Sequence, residues 1–238
     1  NQTHSLIFKK QNMKKSNLTS LVEKYSLNGN IESVVWKTTN KNTTVELAHP
    51  DKTLIGTVTL KDSDIEDSEL GIFDTTKLTQ MLSVLESDFM LNIKKIENNP
   101  FLIELKDSKF SMNFVPADVD VIPKGASLKQ LPPFETEITI DDSFVDSFSK
   151  ATKALNEGIT AFICNDNSVD VVVGYSSATN VNTVKFNIDP VRTETNTSRF
   201  KTDYLKSVLL CNRGIPGKLE IASKGLMRVT FENKQFSN

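Results

Sequence analysis

Two stretches of this chain recur a little over half its length apart. Residues 71–82, GIFDTTKLTQML, parallel residues 198–209, SRFKTDYLKSVL, at an offset of 127. Residues 105–112, LKDSKFSM, parallel residues 231–238, FENKQFSN, at an offset of 126. Either match alone is weak. Two nearly equal offsets, with flanking patterns in the same order, point to one module used twice. A chain of 238 residues is long enough for two such modules, each with its own core.

The segment between the copies has a different character. Residues 115–134, VPADVDVIPKGASLKQLPPF, hold Pro116, Pro123, Pro132, Pro133 and Gly125. Proline fixes φ and lacks an N–H, so neither a regular helix nor an inner strand runs through here. The apolar residues Val119, Val121, Ile122, Leu128 and Leu131 are too many for a solvated linker, and the segment is expected to lie across a sheet. The resulting division is a first module over 1–115, a connector over 116–133 and a second module over 134–238. The first copy runs on from KFSM into NFVP, whereas the second stops at Asn238, so its last strand is expected to be absent.

Hydrophobic periodicity fills in the modules. A short strand is expected over 5–9. Leu18, Leu21, Val22 and Tyr25 mark one face of a helix, with Ser16 or Asn17 as its cap. Alternating strands follow over 31–60, and then the acid-rich run 62–69, expected as a solvated loop because it lacks the glycine and closing Glu of a calcium loop. Asp74 caps a second helix with Leu78, Met81, Leu82 and Leu85 on its face, and three strands succeed it. After the connector the order returns. A strand over 135–140 precedes a helix capped by Asp141 or Asp142 that turns Phe144, Phe148, Ala151 and Leu155 inward. Further strands, a fourth helix with Leu205, Val208 and Leu209 inside, and closing strands complete the chain. Many strands and few, non-alternating helices define an α+β fold: two similar modules, each with two helices on one face of mostly antiparallel sheet.

Composition excludes several classes. No apolar run approaches the ~20 residues that cross a bilayer, and the N-terminal residues contain no apolar core of signal-peptide length. Two cysteines, Cys164 and Cys211, make no disulfide framework, and a cytoplasmic location is expected. With only His4 and His49 there is no set of residues for a His-based metal site, and no metal or cofactor is expected. Phosphate-loop, GxSxG, HExxH and CxxC motifs are all missing, so no enzyme is expected.

Net charge is −2, so any contact with nucleic acid needs its cations gathered on one face. The outer helix faces offer such a set: Lys14, Lys15 and Lys24 from the first helix, Lys77 from the second, Lys150 and Lys153 from the third, and Arg199, Lys201, Lys206 and Arg213 from the fourth. If all four helices lie on one side, that side suits sequence-independent contact with a phosphate backbone.

With its two modules and proline-rich connector, the chain resembles the DNA polymerase sliding clamps. It is similar in plan to proliferating cell nuclear antigen and nearer to the clamp of T-even bacteriophages. The likeness rests on the helix over 73–85 with its following strands, on 134–189, and on the closing block from Phe200. It implies a head-to-tail homotrimeric ring around duplex DNA, opened by an ATP-dependent clamp loader and tethering a replicative polymerase. Ring contacts would join the strand of Phe110, Met112 and Phe114 to that of Val184, Phe186 and Ile188. Partner peptides would enter an apolar pocket at Val121, Ile122, Leu131, Pro133 and Phe134. A ring-forming virion or tail protein is the alternative, and basic helix faces speak against it.

Overall fold

The computed structural model describes residues 11–86, 88–125, 128, 130–178 and 180–238. The strand expected over 5–9 lies outside these residues. The chain divides into two compact units, residues 1–126 and 127–238.

Unit 1 begins with β1 (Gln11–Met13), α1 (Lys15–Ser26), β2 (Val34–Thr39), β3 (Asn42–Ala48), β4 (Ile55–Leu60) and β5 (Ser68–Ile72). It continues with α2 (Thr75–Val84), β6 (Phe89–Ile96), β7 (Asn99–Lys106) and β8 (Ser111–Phe114). Unit 2 repeats this order: β9 (Thr136–Ile140), α3 (Asp142–Ala154), β10 (Ile159–Cys164), β11 (Val169–Val173), β12 (Val184–Ile188) and β13 (Asn196–Lys201). Then come α4 (Thr202–Cys211), β14 (Gly217–Ala222), β15 (Leu226–Phe231) and the short β16 (Phe236–Ser237).

Within unit 1 the strand orders are β1-β6-β7-β8 and β4-β3-β2-β5, and within unit 2 they are β9-β14-β15 and β12-β11-β10-β13. All these neighbours run antiparallel.

The repeat has a physical basis at both of its ends. Asp74 and Lys201 stand at equivalent N-caps, each followed by a buried threonine. The Thr75 hydroxyl lies 3.1 Å from the Tyr25 hydroxyl, and that of Thr202 lies 2.9 Å from the hydroxyl of Thr160. A polar side chain can be buried at this place because it is hydrogen-bonded. At the second end, Asp107 Oδ1 accepts the backbone N–H groups of Lys109 (2.8 Å) and Phe110 (2.7 Å). Asn233 Oδ1 accepts those of Gln235 (2.9 Å) and Phe236 (2.7 Å). The two turns are the same device, a side-chain oxygen satisfying backbone donors of a tight turn.

The second turn opens the start of a closing strand, the two residues of β16, where the first copy has the four of β8. β16 folds back on the end of β15, with Phe231 and Asn238 exchanging backbone hydrogen bonds at 2.9 Å in both directions.

Helix ends depart from expectation where lysine replaces a capping residue. α1 starts after Lys14, ahead of Ser16 and Asn17, and ends on Leu27 in the left-handed region at φ 48°. α2 and α3 carry Asp74 and Asp141 at their N-caps, as the sequence predicts. Leu85 lies just past the end of α2 yet remains buried. The acid-rich run is not simply solvated. Ser63 and Ile65 are buried, and Thr43 donates to Ser63 Oγ at 2.7 Å.

The first half of the connector belongs to unit 1. Ala117 donates its N–H to the Gly71 carbonyl at 2.8 Å, and a single 3-10 turn follows at Val119–Val121. Gly71 permits this approach, since a Cβ there would lie 2.3 Å from the Ala117 carbonyl oxygen. The bridge covers the outer edge of β5, and a second bridge between Glu137 and Arg192 covers β9.

In unit 2, Ile138, Phe144, Phe148, Phe162, Leu205 and Leu219 belong to one apolar cluster, drawn from both sheets and both helices. In unit 1 the chain's single tryptophan, Trp36, is 1% exposed and meets Tyr25 edge-on at 6.3 Å.

Candidate nucleic-acid interface

In unit 1, Lys14 and Lys77 are exposed. Lys15 is half-buried and turns its ammonium onto the carbonyls of Ser83 and Leu85, at the C-terminal end of α2. A cation there complements the helix dipole and ties the two helices together. Lys24 is buried, at 5% exposure, which removes it from the set expected to face DNA. The cause is its position beside Leu21 and Tyr25, where its alkyl stem joins the apolar face.

In unit 2, Lys150 and Lys153 are exposed on α3. Asp146 of the same helix forms an ion pair with Arg213, just beyond α4. Of the four cations expected on the fourth helix, only Lys206 lies within it, half-buried. Arg199 belongs to β13 and Lys201 is the N-cap of α4. The sequence pattern blurred this boundary because Lys201 offers no side-chain cap to mark it.

Arg199 and Lys201 stand two residues apart on β13, so both project from one face of the strand. The Arg199 guanidinium lies over the Tyr175 ring at 4.8 Å, and the Lys201 ammonium over the Tyr204 ring at 4.9 Å. Tyr204 is three residues beyond Lys201, in the first turn of α4, so that pair is local, whereas Tyr175 reaches Arg199 only through the registers of β10 with β11 and β13.

The strands expected to join subunits are both edges of their sheets. β8 pairs with β7 alone, and β12 with β11 alone, among the described residues. Their apolar side chains turn largely inward. Phe114 is buried, Met112 is half-buried, and Phe110 is 40% exposed. Val184, Phe186 and Ile188 are half-buried, with Phe186 against Phe144 at 6.2 Å. What each edge presents outward is therefore mainly backbone and polar side chains.

The residues expected to receive a partner peptide behave differently from one another. Val121 is 60% exposed, whereas Ile122 is buried and serves to pack the connector down. Leu131 and Pro133 are exposed, and Phe134 is half-buried beneath the Arg228 guanidinium, 4.4 Å from the ring centroid. Arg228 is held there by Glu220, whose Oε2 accepts from Nε at 2.7 Å. Lys218 and Arg192 reach the other oxygen of Glu220 at 3.4 and 4.0 Å. The Arg228 hydrogen bond is the main cause holding the Glu220 carboxyl below its ordinary pKa, and the same bond raises that of Arg228. Among the described residues no three of His, Cys, Asp and Glu come together as a metal-ion site.

No protein-family model and no curated protein matches the chain. Solved structures do. The chain is similar to A. fulgidus PCNA, solved with the C-terminal region of FEN-1 bound, at TM-score 0.74 and 12% identity over 97% of this chain and 95% of that one. It is similar to PCNA from Entamoeba histolytica at TM-score 0.72 and 14% identity over 97% of both chains. A PCNA2–PCNA3 complex from Sulfolobus tokodaii gives TM-score 0.66 and 11% identity, over 96% of this chain and 97% of that chain. The chain thus has the two-module sliding-clamp fold, over nearly its whole length.

Proposed function

We propose that the chain is a DNA sliding-clamp subunit that assembles head to tail into a homotrimeric ring around duplex DNA and tethers a replicative polymerase. The observation that carries this reading is the pair of open edges on a duplicated module: β8 ends one sheet of unit 1 and β12 ends one sheet of unit 2. An unpaired edge is a template for another strand, and a contact between two different edges repeats from copy to copy until the rotation closes. Exposed Lys14, Lys77, Lys150 and Lys153 on the helical elements provide loose, sequence-independent attraction to phosphates. The activity is topological: the ring holds DNA by enclosing it, and no residue performs chemistry.

An ATP-dependent loader and the polymerase would use short apolar segments placed at Val121 and at Leu131, Pro133 and Phe134. The sequence resemblance to the T-even phage clamp suits a role in bacteriophage replication inside an infected cell. The test is retention on DNA. Protein loaded on a nicked circular plasmid should stay bound through gel filtration and leave when the plasmid is cut once. Equal retention on circular and linear DNA would overturn the reading.

A further inference from the structure

The chain has four arginines, all in unit 2. Arg192 meets Glu137, Arg213 meets Asp146, and Arg228 meets Glu220. Arg199 forms no ion pair among the described residues, and its contact is the Tyr175 ring. The chain has three tyrosines. Tyr25 is buried in unit 1, and the other two, Tyr175 and Tyr204, are the rings beneath Arg199 and Lys201. So both tyrosines outside the core, and the one arginine without a carboxylate, gather at one end of the β11-β10-β13 sheet. Ile159 lies directly opposite Lys201 in the register and is 39% exposed.

We propose that this patch binds single-stranded DNA, with Tyr175, Arg199 and Tyr204 as stacking surfaces and Lys201 as a phosphate contact. Unpaired bases stack on aromatic rings and on guanidinium planes. A guanidinium already laid on a ring extends that stack by one flat layer. Arg199 and Lys201 are about 6.7 Å apart along the strand, close to the reach of one extended nucleotide. A duplex has its base faces buried in the stack and makes no use of the tyrosines. Two exposed acids are near, Asp203 two residues beyond Lys201 and Glu157 with its side chain against Gly174 beside Tyr175, and they keep the attraction modest, so stacking decides what binds.

The test is fluorescence anisotropy of a fluorescein-labelled oligothymidylate of about 12 nucleotides, titrated with the full chain at low salt. An abasic oligomer of equal length and charge, an oligouridylate and a duplex serve as comparisons. The oligothymidylate should bind at least tenfold tighter than the abasic oligomer. Tyr175→Leu with Tyr204→Leu should abolish that margin, while Tyr175→Phe with Tyr204→Phe keeps it. Lys201→Gln should flatten the log K against log salt slope by about 0.7. Equal affinity for the abasic oligomer, or no binding, overturns the proposal. Equal affinity for the duplex reassigns the patch to phosphate contact, and a tenfold preference for oligouridylate overturns the DNA assignment. If the leucine pair fails to fold by circular dichroism, the abasic comparison on the unsubstituted chain still decides. The assay needs no ring, so its outcome is separate from that of the clamp reading.

Discussion

Glu220 is the one acid in the buried class among the described residues, and its removal has a calculable cost. Its cross-strand neighbours in the register are Glu137 on β9 and Arg228 on β15, so a like charge and an opposite charge flank it. Glu220→Gln keeps the shape and turns a charge-assisted bond into a neutral one, which should destabilise unit 2 by about 1–1.5 kcal/mol. Glu220→Ala removes the acceptor altogether. The cations it leaves are 41% to 53% exposed in their side chains and take up water, so the cost stays near 2–3 kcal/mol, below that of a fully buried pair. A double-mutant cycle with Arg228→Leu should give a coupling of about 1–2 kcal/mol, read from urea unfolding followed by circular dichroism. The sign with pH follows from the lowered carboxyl pKa. The stabilisation is complete above the unfolded value of about 4.3 and fades as pH falls through the lower folded value, so wild type and Glu220→Gln should converge in acid. A coupling within about 0.3 kcal/mol of zero, the scatter for independent sites, would refute the reasoning.

Other substitutions probe the module itself. Thr75→Val leaves the buried Tyr25 hydroxyl without its Thr75 partner, while the Glu32 carbonyl keeps the backbone N–H of residue 75, and should cost about 1–2 kcal/mol, visible as an earlier unfolding midpoint in Trp36 fluorescence. Gly71→Ala drives a Cβ into the Ala117 carbonyl and should release the connector, with limited proteolysis then cutting between 117 and 125 at rates the parent chain resists. Asn233→Ala removes two backbone hydrogen bonds of its turn, and Asp107→Ala removes the same two plus a third, from the Glu86 N–H at 2.8 Å, so calorimetry should find losses of about 1–3 kcal/mol with the larger at Asp107.

Much of the architecture was legible because it rests on local chemistry. The Asp74 and Asp141 caps and the Asp107 and Asn233 turns are bonds made within a few residues of each other, and helical periodicity alone sets the apolar stripes. Charge placement was less legible. Lys24 reads as a surface residue by type, but helical geometry carries it to the edge of the buried stripe. Arg199 and Lys201 read as helical because the chain enters α4 without a capping side chain. The partner of Arg199, Tyr175, comes from strand registers, which no local pattern encodes, whereas Tyr204 follows Lys201 by three residues. The start of a closing strand was legible from the second repeat, since two residues are too few for alternation to show it.

The most direct test of the ring is the mass of the full chain by light scattering through a dilution series. The account predicts a species near three times 26.6 kDa that dissociates on dilution without stable dimers, and a proline placed at Asn187 in β12 that stays monomeric with its fold intact. A monomer at every concentration, or a closed dimer unaffected by that proline, would contradict it.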